Sequence, residues 1–256
     1  MISAVLSILM LMQAPSAVPR TADGHPDLTG IWQVRNTANW DLLDHTGGYK
    51  IPAGIGVVEG GVIPYRPEAL AQKKKNFDNR LTADPVEKCY IAGFPRTIYL
   101  PYPFQIVQTP DAVIILSEWV HTWRWIPTVP YPRYDGYESW IGDPRGHWEG
   151  DTLVVESVGF NDQTWFDNVG DFHSDALKLT ERFTRTALDT ITYEATIEDP
   201  KVFTKPWKIK MPIYQQKGMS RVLEAECYLN AEDAGKAIRG THPEDRGTSA
   251  APPKEK

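Results

Sequence analysis

The chain of 256 residues has two cysteines, no excess of basic charge and no apolar run long enough to span a bilayer. Each shortage excludes something. A net charge of -6 and a pI near 5.6 argue against a nucleic-acid or anionic-membrane partner, because such proteins gather Lys and Arg to neutralise phosphates. The one basic run, Lys73-Lys74-Lys75, reads as a solvated helix face. No G-x-S-x-G elbow, Walker loop or G-x-G-x-x-G after a strand is present, which sets aside α/β-hydrolase chemistry and nucleotide use. The histidines show neither H-x-H nor H-E-x-x-H spacing, so no metal and no cofactor is assigned.

The longest apolar run, residues 2–12, is followed by Ala14-Pro15-Ser16-Ala17. It is too short for a transmembrane helix and has the form of a secretory h-region, so residues 1–17 are expected to be a signal peptide and the protein secreted or periplasmic. Export permits a disulfide. A Cys89–Cys227 bond would tie the start of the strand-rich region to its last strand. Two separate buried thiols are the alternative.

Residues 18–84 read as a first strand, Gly30-Ile31-Trp32-Gln33-Val34, followed by an irregular decorating arm rich in Gly and Pro. One short helix is expected in the arm, where Pro67 suits a first turn and good helix formers follow it. Residues 85–230 alternate apolar and polar side chains. Strands are expected at 104–108, 112–126, 152–158, 177–185, 190–197, 207–211 and 221–229, with turns at Thr109-Pro110-Asp111, Glu149-Gly150-Asp151 and Ala187-Leu188-Asp189. Residues 231–256 read as a disordered tail. Successive antiparallel strands with one polar face close into a barrel or pack as a sandwich. We expect a mainly β protein with an antiparallel, lipocalin-like β-barrel, a β-sandwich being the alternative.

Two resemblances bear on this reading. Gly30-x-Trp32 resembles the lipocalin-type first strand, in which a Trp closes the barrel base against an Arg from a late strand; Arg221 would fill that role. The run Gly146-His147-Trp148-Glu149-Gly150-Asp151-Thr152-Leu153-Val154-Val155, with Gly159-Phe160-Asn161-Asp162-Gln163-Thr164-Trp165, is similar to a signature of uncharacterised secreted proteins common in soil bacteria. The similarity continues through His173-Ser174-Asp175-Ala176-Leu177, Glu181-Arg182-Phe183, Ile197-Glu198-Asp199-Pro200 and Lys205-Pro206-Trp207. It implies no particular activity. This chain departs from the pattern at Tyr228-Leu229-Asn230, in place of a more polar ending, and between Tyr131 and Tyr137, which points to a specialised pocket.

Parity selects the candidate site. Glu181 shares a strand face with Leu177, Leu179 and Phe183, so a carboxylate is sent inward and must be paired, hydrogen-bonded or protonated. Tyr193 shares a face with Ile191, Ala195 and Ile197 and should converge on it. Trp119, His121, Trp123 and Trp125 share one parity and would form an aromatic wall if inward or a sugar-stacking platform if outward. The loop 161–175 adds Asn161, Trp165, Asp167 and His173 at the barrel mouth.

The leading expectation is a cofactor-independent enzyme doing acid–base chemistry, such as elimination, isomerisation or cyclisation, on a hydrophobic or aromatic small molecule. Its catalytic set would be Glu181, Tyr193, His121, His173 and Asp167, and its binding set Trp119, Trp123, Trp125, Trp165 and Asn161. The alternatives are a non-catalytic binder and a carbohydrate-binding or carbohydrate-active protein. Glu181 has a structural alternative too: a salt bridge to Arg221 or Arg124 that closes the barrel.

Overall fold

The computed structural model describes residues 18–48, 51–133 and 136–227. The expected signal peptide, the tail 231–256 and Tyr228-Leu229-Asn230 lie outside the described residues. Nine strands form one antiparallel sheet: β1 Gly30–Val34, β2 Phe104–Gln108, β3 Ala112–Ser117, β4 Trp123–Pro127, β5 Asp143–Glu149, β6 Thr152–Val158, β7 Lys178–Ala187, β8 Thr190–Glu198 and β9 Trp207–Gln215. Their order is β4-β3-β2-β1-β9-β8-β7-β6-β5, and the sheet curls until its end strands approach, giving a nearly closed barrel. Gly146 of β5 makes that approach possible: a Cβ there would lie 3.0 Å from Ile126 Cγ2 and 3.2 Å from Thr128 Cγ2, at the β4 side of the seam.

The long strands carry period-two burial. On β9, Trp207, Ile209, Met211 and Ile213 point inward while Lys208, Lys210 and Pro212 face solvent, as a strand with one wet face requires. At the barrel base Trp32 is fully buried, its indole donating to Leu28 O at 2.9 Å. The arginine over it is Arg185 of β7, 5.3 Å from the ring and donating to the carbonyls of Asp27, Ala187 and Leu188. The expected partner, Arg221, is exposed instead, because residues 221–227 run as an extended segment with a single bridge, Trp119 to Ala225, and form no barrel strand.

Two further expectations are corrected. Residues 112–126 are two strands joined by a turn at 118–122, not one strand. The turn contains no Gly or Pro; Val120 and His121 themselves take positive φ, 42° and 53°, a conformation unusual for a β-branched residue. Backbone bonds to the C-terminal segment hold it, Val120 N to Ala225 O and Ala225 N to Glu118 O, each 3.1 Å. Strand β5 was unexpected because Pro144 and Gly146 interrupt its alternation.

Helix α1, Pro67–Ala83, starts on its proline and buries only Ala69 and Asn76. It runs over loop 161–175, where Gly170, at φ +87°, lets the helix approach closely: a Cβ there would lie 2.5 Å from Asn76 Cβ. A second helix, α2 Arg96–Tyr99, is one turn and fully buried. The arm shares the barrel's core through Leu42, Val58, Ile63 and Ala69, so it is part of the packed body and not a mere decoration. Cys89 and Cys227 are disulfide-bonded, with Cα atoms 5.2 Å apart, pinning the C-terminal segment to the loop before α2. No helix among the described residues is long and apolar enough to cross a membrane.

Candidate functional site

Glu181 points inward as its parity requires, with no exposure, and the barrel answers its charge directly. Arg124 Nη1 of β4 stands 2.6 Å from Glu181 Oε2, and both side chains are fully buried. Tyr193 donates its hydroxyl to Glu181 Oε1 at 2.8 Å, while burial and then the field of Glu181 push its phenol well above the ordinary range. Arg124 also donates to Ser157 Oγ at 2.6 Å and lies 4.0 Å over the Phe94 ring. This cluster therefore joins β4, β6, β7 and β8 across the barrel interior. It is the salt bridge that parity left open, with Arg124 and not Arg221 as partner.

The expected meeting of Glu181 with a histidine does not occur. His121 is the exposed residue of the 118–122 turn, its Nε2 3.2 Å from Glu226 Oε1. His173 is buried but bonded elsewhere: Nδ1 faces Ser174 O at 2.9 Å and Nε2 faces Thr164 Oγ1 at 2.7 Å, with Phe160 and Phe166 against the ring. Burial holds its pKa below the usual histidine value. Nδ1 thus donates to the carbonyl and Nε2 accepts from threonine, the neutral imidazole of a core residue.

Asp167 is also buried rather than at a mouth. It accepts Leu42 N at 3.1 Å and Asp171 N at 2.9 Å. Burial, and then the neighbouring Asp171, push its carboxyl well above the usual carboxylate range. Asp171 in turn takes Lys73 Nζ at 2.8 Å and the Tyr65 hydroxyl at 2.8 Å. A bidentate Arg96–Asp84 pair at 2.7 and 2.8 Å, extended by Asn39 and Asn168, completes a buried polar network that staples the arm to loop 161–175. Asn161 accepts Gln163 N at 3.2 Å, and Trp165 is half-buried in a bridge to Phe172. Neither joins the aromatic wall.

That wall divides at the 118–122 turn. Trp119 is buried against Tyr102, ring centroids 5.2 Å apart. Trp123 and Trp125 face solvent on β4, 62% and 37% exposed, because Arg124 and Ile126 take the inward positions. They line an open pocket of about 490 Å³ with Tyr131, Tyr137, Ile141 and Arg145. Tyr131 meets Trp125 edge-on at 4.8 Å. The pocket is held from behind: Arg145 donates to Asp143, to Pro144 O at 2.6 Å and to Tyr131 O at 3.0 Å, and Arg133 donates to Asp143 O at 2.6 Å. The Arg145 guanidinium, bonded to the Asp143 carboxylate and to backbone carbonyls, ties Tyr131 to β5.

Two side-chain groups among the described residues have carboxylate or imidazole atoms close enough to share a cation: exposed His121, Glu224 and Glu226, and the cluster Asp41, Asp167 and Asp171. His121, His147 and His173 do not meet; His147 faces Glu149 at 3.3 Å on the β5 surface. Comparison with protein-family models, curated proteins and solved structures returns no match to this chain.

Proposed function

We propose that the protein binds carbohydrate on the outward face of β4, with Trp123 and Trp125 as the stacking platform and Tyr131 and Tyr137 as its rim. The observation that carries this reading is the orientation of the two indoles: alternate positions of one strand, facing solvent in a pocket of about 490 Å³. The Cα atoms of residues two apart on a strand stand about 7 Å from each other, so both indoles are offered to one ligand. Large exposed aromatics are costly to leave wet and mark binding surfaces. Arg145 holds the Tyr131 carbonyl at 3.0 Å, and aromatic side chains, with only two rotatable bonds, lose little entropy on binding.

An acid–base reading through Glu181 has less support. A catalytic carboxyl must reach its substrate, and both oxygens of this one face partners in the closed interior. The disulfide supports the expected export, since such bonds persist in oxidising compartments.

The test is affinity electrophoresis and calorimetry against soluble β- and α-linked glucans, xylan and chitooligosaccharides. Trp123→Ala and Trp125→Ala should each weaken binding by tenfold or more, equivalent to about 1.4 kcal/mol, without loss of folding. Binding unchanged in both variants, or no binding to any glycan, rejects the reading.

A further inference from the structure

A second cleft, of about 520 Å³, lies between α1, the part of the arm that carries Asp41, Leu43 and residues 61–65, and Val169 and Asp171 of loop 161–175. Its rim carries Val62, Leu70 and Phe77, which are 67%, 51% and 40% exposed. Its floor holds Asp41, Lys73 and Asp171. Lys73 is committed to Asp171 at 2.8 Å and to Val169 O at 3.0 Å. Asp41 accepts Leu43 N at 2.9 Å and forms no ion pair among the described residues. The carboxylate atoms of Asp41, Asp167 and Asp171 lie within 4.8 Å of one another, so three acids face one ammonium.

Asp167 is buried behind the floor, where it accepts Leu42 N and Asp171 N. Lys73 keeps its charge: burial opposes it, but Asp167 and Asp171 outweigh that cost. Lys73 bonds Asp171 directly, and Asp41 has no cation within ion-pair distance among the described residues. Burial raises its carboxyl, the sense expected for an acid that lacks a counter-ion. Two other basic groups are near. His45, whose field reaches Asp41, donates Nδ1 to Leu43 O at 2.7 Å; Arg80 lies 4.2 Å over the Phe77 ring without lining the cleft.

We propose that this cleft binds an organic ammonium ion with an apolar body, the cation on Asp41 and the body against Val62, Leu70 and Phe77. The site is independent of the aromatic platform. A metal ion is the weaker fit, because the Lys73 ammonium already occupies the side of the acidic cluster that Asp171 presents.

Three probes of one shape test it by calorimetry on the full chain: 2-phenylethylammonium, 2-phenylethanol and 3-phenylpropionate. The ammonium should bind at least tenfold more tightly than the alcohol, and the carboxylate most weakly. Asp41→Asn keeps the acceptor for Leu43 N and should bring the ammonium down to the alcohol's affinity. Phe77→Ser, on the exposed side of α1, should weaken ammonium and alcohol alike, and Trp123→Ala should change neither. Equal affinity for ammonium and alcohol, ammonium binding unchanged in Asp41→Asn or Phe77→Ser, or calcium displacing the ammonium from the cleft each overturns the proposal.

Discussion

Replacing Glu181 by Gln tests what the buried carboxylate is for. The amide preserves shape and keeps an oxygen for the Tyr193 hydroxyl, which bonds Oε1 at 2.8 Å. What it removes is the counter-ion of Arg124, 2.6 Å away, with both side chains fully buried. A stranded buried charge costs roughly 3–5 kcal/mol, and for a domain of this size each kcal/mol shifts the melting temperature by about 2–4 °C. The variant should therefore melt about 6–20 °C lower and unfold at lower urea with an unchanged m-value, followed by tryptophan fluorescence. Adding Arg124→Met should recover much of the loss, because it removes the stranded buried charge that makes the single variant costly. Sugar affinity at β4 should hold wherever the protein is folded. A loss below about 1 kcal/mol, or no recovery in the double variant, refutes the interior ion pair.

Three more outcomes follow from the same geometry. The folded-state pKa of His173 is depressed by burial, so it contributes stability that is present above the unfolded value of about 6.5 and lost as pH falls below it. His173→Gln should flatten the stability–pH curve in that window by up to about 1.4 kcal/mol per pH unit, and an unchanged curve contradicts the assignment. Reducing Cys89–Cys227, which closes a separation of 138 residues, should cost about 2–5 kcal/mol; equal denaturation midpoints with and without reductant would argue otherwise. Gly146→Val should place methyl groups against Ile126 and Thr128 at the seam and cost about 1–3 kcal/mol, whereas a change at exposed His147 should stay within about 0.5 kcal/mol.

The apolar segments between clear turn signals were legible as strands, β1, β2 and β6 to the residue. The fully antiparallel barrel followed from them, and Glu181 and Tyr193 meet as their parity requires. The failures share a cause. The 118–122 turn is built by Val120 and His121 at positive φ and is held by residues about a hundred positions later, so no local turn residue announces it. Reading through it merged two strands and put four rings on one wall. Strand β5 was lost because Pro144 and Gly146, which suit the seam, break the pattern that identifies a strand. The acidic cleft under α1 was invisible for a different reason: Asp41, Lys73 and Asp171 come from three separate segments of chain, and only the packing of the arm against loop 161–175 joins them.

The central claim, that β4 presents a carbohydrate platform, is tested most directly by watching the indoles. In a 15N-labelled sample titrated with the glycan panel, the Nε1–H resonances of Trp123 and Trp125 should shift in a saturable manner, while those of buried Trp32 and Trp207 stay fixed. Shifts confined to other tryptophans, or no indole shift at millimolar concentrations of any glycan, would contradict it.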